Sequence, residues 1–116
     1  MGLENKRNQI RIRVVLPVEV FDIAKQKNFT GRIIDLSASG AAIVGSEELI
    51  SGATVRLTFT FENNTYKDIS AKIVREIKRQ DTKHLGSAFF SLDDQTRLKL
   101  EESVRRVNSR ILRGCR

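Results

Sequence analysis

Residues 10–20 read IRIRVVLPVEV, and this segment decides the fold class of the chain. Its even-numbered positions carry only large aliphatic side chains, whereas most of its odd positions carry arginine, proline or glutamate. A period of two residues predicts a β-strand that buries one face in a core and exposes the other face to solvent. Pro17 lacks an N–H group for the hydrogen-bond ladder, so we expect an edge position or a bulge near it.

Five later segments also show strand character, and polar turn residues separate them. Their predicted bounds are 29–36, 41–44, 54–61, 66–77 and 84–90. The alternation is clearest in 54–61, where apolar residues occupy the odd positions, and this is typical of a half-buried antiparallel strand.

A helix is predicted from about residue 92. Ser91 is its expected N-cap, because the carboxylate of Asp94 stands three residues later. The helix then has apolar residues at helical spacing, namely Leu100, Val104, Val107 and Ile111. Six short strands followed by one helix predict an all-β fold with one C-terminal helix. The expected architecture is a six-stranded antiparallel β-barrel, which closes to hide its strand edges.

Length and charge limit the organisation of the chain and its partners. The 116 residues suit one domain. We predict a flexible N-terminal arm at 1–11, a barrel with its helix at 12–112, and a tail at 113–116. The chain has 21 Lys and Arg against 14 Asp and Glu, a formal net charge of +7. Such an excess favours an anionic partner through long-range electrostatics.

Cysteine usage and hydropathy predict a cytoplasmic protein. Cys115 is the single cysteine, so no intramolecular disulfide is possible. No secretory hydrophobic region follows Met1, and no apolar run approaches the roughly 20 residues that cross a bilayer. We therefore expect a reducing compartment and no transmembrane segment.

Catalysis and metal binding find little support in the sequence. His84 is the only histidine, and it lies in or beside an apolar strand. A metal site normally needs several His, Cys or carboxylate ligands at matched spacing, which His84 and Cys115 do not provide. Ser37 has no histidine partner suggested by the sequence. We predict a protein that is not an enzyme and that uses no metal and no cofactor.

Two short groups of polar residues carry the functional prediction. One is Asp35-x-Ser37-x-x-Gly40, a polar loop directly after an apolar run. Taken alone, it indicates a turn, since Asp and Ser side chains hydrogen-bond neighbouring backbone and glycine tolerates positive φ. The other is Arg7-x-x-x-Arg11, in a segment with little apolar content.

Together these groups resemble the motifs of the PilZ domain family, which are bacterial receptors for cyclic di-GMP. That family has Arg-x-x-x-Arg on an N-terminal arm and Asp/Asn-x-Ser-x-x-Gly on the face of a small β-barrel with a trailing helix. The resemblance implies that cyclic di-GMP is bound by Arg7, Arg11, Asp35, Ser37 and Gly40. Lys6 stands where many members carry a further arginine. It is a weaker candidate, because lysine keeps the charge but lacks the planar fork of a guanidinium.

The resemblance also implies a mechanism. The arm is expected to be loose in the free protein and to close over the barrel when the ligand supplies anionic groups to its arginines. The closed arm and the ligand would then form a surface for a downstream protein partner.

Two other binding classes compete with this hypothesis. A PilZ-like adaptor that binds protein partners, with weak or no nucleotide binding, stays open as the alternative. Single-stranded nucleic acid is not favoured, because its binding modules use exposed aromatic platforms. Here Phe59 and Phe61 share a face with Val55 and Leu57, and the chain has no tryptophan.

Overall fold

The strands and the helix follow the changes in sequence pattern closely. The computed structural model describes residues 10–45 and 48–114. Within them the chain forms β1 (Ile12–Asp22), β2 (Lys27–Ser37), β3 (Gly40–Val44), β4 (Thr54–Phe61), β5 (Asn64–Arg79), β6 (Thr82–Phe89) and α1 (Asp94–Gly114). Most of the predicted arm, and residues 115–116 of the predicted tail, lie outside the described residues. The proposed division of the chain therefore stays a prediction.

The strands of the described residues close into a barrel. Their order is β1-β2-β3-β6-β5-β4, with β4 pairing back to β1, and every neighbouring pair is antiparallel. Closure gives each strand a partner on both sides, which removes exposed edges. The prediction of a six-stranded antiparallel β-barrel with one C-terminal helix is confirmed.

Aliphatic side chains that point inward fill the barrel. In β1, Val18 and Val20 are buried while Glu19 is exposed, as the alternation predicts. The fully buried side chains include those of Ile33, Leu36, Ile43, Leu57, Ile73 and Leu85. Burial of one side chain of this size stabilises the fold by about 1.5–3 kcal/mol. The interior therefore holds the fold together, and the outward faces of the strands are left to other roles.

The β1 strand is irregular near Pro17. Its register with β2 shifts between Arg13 and Leu16, and its pairing with β4 begins only at Glu19. Pro17 thus lies close to a bulge and outside the β1–β4 pairing. This position accommodates its missing N–H group.

The N-cap of α1 is not the predicted residue. Ser91 has a φ of 62°, which is left-handed backbone and not the extended conformation of an N-cap. Asp93 caps the helix instead, because the Thr96 N–H donates to Asp93 Oδ1 at 2.7 Å. Hydrogen bonds from the side chain and backbone of Thr96 hold the pKa of Asp93 below its ordinary value. The prediction of Ser91 as the cap was wrong.

The helix packs on the barrel through part of its apolar stripe. Leu100 and Val104 are only 1% and 2% exposed, and both belong to the core. Ile111 is 42% exposed, so the stripe continues past the contact with the barrel. An ion pair between Arg110 and Glu62 links this later part of the helix to the β4–β5 turn. Neither α1 nor any other helical segment of the described chain is long and apolar enough to cross a membrane.

Candidate ligand-binding site

Arg11 and Asp35 meet on the outer surface of the barrel. The two residues are 24 positions apart in the sequence, and Arg11 Nε donates a hydrogen bond to Asp35 Oδ1 at 3.2 Å. The antiparallel pairing of β1 with β2 places Arg13 directly opposite Asp35, so Arg11 arrives at the same end of β2. The side chains of Arg11 and Asp35 are 54% and 33% exposed. An exposed pair of this kind contributes little to stability, so a ligand can compete for both groups.

An open groove of about 490 Å³ lies beside this ion pair. Its volume is in the range of small-molecule sites in proteins. Arginines line both sides of it, Arg11 and Arg13 on the β1 side and Arg75 and Arg79 on the β5 side. Among the described residues that line the groove, Asp35 is the only carboxylate. The groove therefore has a net positive charge and suits an anionic ligand.

Small side chains keep the floor of the groove shallow. Ala42 in β3 and Gly86 in β6 are paired across the two strands, and both line the groove. Ile34 of β2 adds an apolar, half-buried side chain next to them. A planar ring can approach the backbone closely over such a floor, between the two groups of arginines.

Ser37 lies under the surface and holds the β2–β3 turn. It is fully buried, its Oγ accepts a hydrogen bond from the Ser39 N–H at 3.2 Å, and the same Oγ donates to the Gly40 carbonyl at 3.4 Å. The structure does not place Ser37 among the residues that line the groove. Its predicted contact with a ligand stays a prediction, whereas its role in the turn is visible.

Gly40 is required by the approach of a neighbouring strand. A Cβ atom at Gly40 would lie 2.2 Å from the backbone oxygen of Ser87 in β6. Within the described residues, the glycines with positive φ are Gly45 and Gly52. The reason for glycine at position 40 is therefore close packing of β3 on β6, and the positive φ considered from the sequence is not adopted. A contact between Gly40 and a ligand also stays a prediction.

The arm residues of the predicted site are outside the described part of the chain. Arg7 and Lys6 belong to residues 1–9, so only Arg11 of the Arg-x-x-x-Arg motif can be located. The structure thus brings Arg11 and Asp35 together, whereas Ser37 is buried and does not line the groove. The ligand contacts of Arg7 and Lys6 stay predictions.

Sequence reasoning missed the arginines of β5. The predicted strand ended at residue 77, and the charged residues after it were expected to turn the chain. In the structure β5 continues to Arg79, and the turn is formed by Gln80 and Asp81, which both have positive φ. The apolar residues of 66–77 indicate a strand, but they do not show that Arg75 faces the groove, because a bulge shifts the strand register just before it.

Comparison with known proteins now identifies the family. The model of the PilZ domain matches residues 5–106. The chain belongs to the PilZ domain family. No curated protein sequence matches it significantly.

Solved structures agree with this PilZ fold. The inhibitor of motility MotI/DgrA from Bacillus subtilis is 20% identical with a TM-score of 0.76, over 93% of this chain and 52% of that chain. YcgR from Escherichia coli, in complex with c-di-GMP, is 15% identical with a TM-score of 0.78, over 91% of this chain and 47% of that chain. The PilZ domain of CeSA from a cellulose-synthesizing bacterium is 25% identical with a TM-score of 0.56, over 84% of this chain and 93% of that chain. This chain spans about half the length of MotI and YcgR.

Proposed function

We propose that this PilZ domain is a receptor for cyclic di-GMP and that the ligand binds in the groove beside Arg11 and Asp35. One observation carries the proposal, namely the contact between Arg11 and Asp35 at the edge of a groove with arginines on both sides. Family membership adds support, and so does the similarity in fold to YcgR, whose structure contains c-di-GMP.

The chemistry of the two side chains suits a guanine nucleotide. A guanidinium binds guanine O6 and N7 bidentately, or a phosphate with charge assistance. A carboxylate accepts hydrogen bonds from the guanine N1–H and N2 amine, a donor pair that adenine does not present. The contact with Asp35 Oδ1 uses only Arg11 Nε, so both side chains have further groups to offer to a ligand. Asp35 thus supplies base specificity, and the arginines supply charge.

The arm completes the site in this proposal. Arg7 and Lys6, outside the described residues, bring further positive charge to the ligand when the N-terminal arm closes over the groove. The bound ligand and the closed arm present a surface to a downstream protein partner. The role is one of binding without catalysis. No group of three or more His, Cys, Asp or Glu residues in 10–45 and 48–114 is arranged to hold a metal.

Calorimetric titration of the full chain with cyclic di-GMP tests the proposal. We expect saturable binding to the wild type, and a loss of affinity of about tenfold or more for both Arg11→Ala and Asp35→Ala. Arg56→Ala is the matched control, because Arg56 is an exposed arginine of β4 that does not line the groove. Cyclic di-AMP and single-stranded RNA serve as competitors, and neither should displace bound cyclic di-GMP.

Two results would contradict the proposal. If titration with cyclic di-GMP gives no heat of binding even at high ligand concentration, the receptor function is wrong. The adaptor alternative then takes its place. If binding is saturable but Asp35→Ala binds as tightly as the wild type, the site lies elsewhere. Amide exchange at residues 5–12 tests the arm separately, since saturating ligand should slow exchange there.

A further inference from the structure

One row of residues crosses the groove from end to end. Strand pairing aligns Arg13 of β1 with Asp35 of β2, Asp35 with Ala42 of β3, Ala42 with Gly86 of β6, and Gly86 with Arg75 of β5. Arg13 and Arg75 stand at the two ends of this row, and Asp35 lies next to Arg13. Ala42 and Gly86, which have little or no side chain, occupy the middle. The row therefore forms a shallow channel with a guanidinium at each side.

A β-bulge gives Arg75 its outward direction. Ile73 is buried and pairs with Ser87, whereas Arg75 pairs with Gly86, so Val74 is an extra residue in β5. In a regular strand, residues 73 and 75 would point to the same face, and Arg75 would enter the core. The inserted residue restarts the alternation, which directs the arginine to the outer surface.

The side chain of Arg75 extends over the floor of the groove. Its Cβ and Nε lie 3.6 Å, and its Nη2 lies 3.9 Å, from the point where a Cβ on Gly86 would stand. The Arg75 side chain therefore lies in van der Waals contact with the place that a Cβ at position 86 would take. The charged group therefore lies over Gly86, in the same groove that Ala42 and Asp35 line.

The charge of Arg75 is not balanced by a neighbouring acid. Glu76, the adjacent acid in β5, pairs with Lys83 at 3.7 Å and accepts a hydrogen bond from the Ser51 N–H. Asp35 pairs with Arg11. In the part of the chain that the structure describes, Arg75 forms no ion pair. An arginine without an acidic partner is suited to bind an anionic ligand, and its planar fork matches phosphate.

We propose that Arg75 is a second anion-binding residue of the ligand site and binds a phosphate group of cyclic di-GMP. The inference rests on the proposed function and adds a residue of β5 to it. Three strand spacings of about 4.8 Å place the Cα atoms of Asp35 and Arg75 about 14 Å apart along the sheet. The Arg75 side chain shortens this gap by reaching back over Gly86. A ligand with a base at Asp35 then has a phosphate within reach of Arg75.

Titration of the full-length chain with cyclic di-GMP, at low and high NaCl, tests this role. Arg75→Ala should weaken binding about tenfold, and Arg75→Lys should recover part of the loss, because lysine keeps the charge without the fork. The affinity of Arg75→Ala should also fall less steeply with salt than that of the wild type. Arg56→Ala, the exposed control on β4, should bind within about twofold of the wild type.

The outcomes separate this inference from the proposed function. If the wild type binds and Asp35→Ala does not, but Arg75→Ala keeps wild-type affinity, the role of Arg75 is wrong and the receptor function stands. If the wild type itself does not bind, the receptor function falls and the role of Arg75 falls with it. A urea unfolding curve for Arg75→Ala should match that of the wild type. A clear loss of stability would mean that any affinity change reflects the fold, and would overturn the proposed contact.

Discussion

The groove face and the interior of the barrel use their polar residues differently. On the groove face, Arg11 and Asp35 pair in contact with solvent, and Arg75 has no acidic partner among the described residues. In the interior, Ser37 is buried, and its hydroxyl is engaged with the backbone of its own turn. Burial also raises the pKa of Tyr66, which stacks on Phe59 at a centroid distance of 5.2 Å. Under the proposed site, stability and ligand binding should therefore respond to different substitutions.

The motif Asp35-x-Ser37-x-x-Gly40 has residues both on the groove face and in the interior of the barrel. Asp35 lies on the groove face, whereas Ser37 and Gly40 serve the turn and the strand packing beneath it. A short motif therefore contains one residue with an exposed functional group and two that set the backbone on which this group stands. Substitutions within the motif should separate into two kinds of effect.

Gly40→Ala should lower the free energy of unfolding more than any other substitution considered, because it disturbs the strand packing of the barrel. The new methyl group would stand 2.2 Å from the Ser87 backbone oxygen, which cannot move without disturbing the β3–β6 pairing. We expect a loss of about 4 kcal/mol in the free energy of unfolding, measured by urea denaturation. Gly86→Ala is the control on the groove face, because its methyl group would meet Arg75 side-chain atoms at an ordinary 3.6 Å. Equal stability of the two variants would refute the assignment of Gly40 to close strand packing.

Ser37→Ala and Asp35→Ala should separate the two regions within one motif. Removing the Ser37 hydroxyl removes its hydrogen bonds with the Ser39 N–H and the Gly40 carbonyl, so we expect a loss of about 1.5 kcal/mol in unfolding free energy. Removing the Asp35 carboxylate breaks only an exposed ion pair, so stability should change by less than about 0.5 kcal/mol. Urea denaturation of both variants measures the change in stability, and titration with cyclic di-GMP measures the change in affinity. A loss of stability in Asp35→Ala as large as that in Ser37→Ala would contradict the separation.

Local periodicity predicts the barrel well because it reports which side of each strand is buried. Residues 54–61 were predicted as a strand with those bounds, and β4 spans Thr54–Phe61. Leu100 and Val104 were placed on the buried stripe of the helix, and both lie in the core. These successes share a cause, since alternation and helical spacing are properties of neighbouring residues.

The site was predicted only in part because its geometry depends on distant residues. The family motif placed Arg11 and Asp35 in one ligand site, and their direct contact is a finding of the structure. The closeness of Gly40 to Ser87 joins residues far apart in the chain, and no local pattern encodes it. The bulge at Val74 directs Arg75 to the outside, and no local pattern in 66–77 encodes that bulge. Sequence patterns thus predict which residues are outside in regular strands and fail where a strand bulges.

The smallest expected effect concerns Asp93, an exposed carboxylate that belongs to the fold. Its acceptance of hydrogen bonds from Thr96 places its pKa in the folded state below the ordinary value of 3.8. A depressed carboxyl pKa stabilises the fold above the unfolded pKa, and this contribution disappears as the pH falls through the folded pKa. Asp93→Ala should therefore lower the midpoint of urea denaturation slightly at neutral pH, by less than Ser37→Ala does.

The pH dependence then tells this carboxylate from the one in the groove. The difference in urea midpoint between wild type and Asp93→Ala should become smaller when unfolding is repeated at about pH 2.5. A protonated carboxyl is a weaker hydrogen-bond acceptor for the helix N-terminus. A difference in urea midpoint that stays constant from neutral pH to about pH 2.5 would show that the charge of Asp93 has no part in capping. Asp35→Ala, which removes a partly exposed acid, should show only a small stability difference from the wild type at both pH values. Exposure alone thus does not assign a residue to function. The hydrogen-bond partner distinguishes the two acids, because Asp93 accepts from a helix N–H and Asp35 accepts from the exposed Arg11.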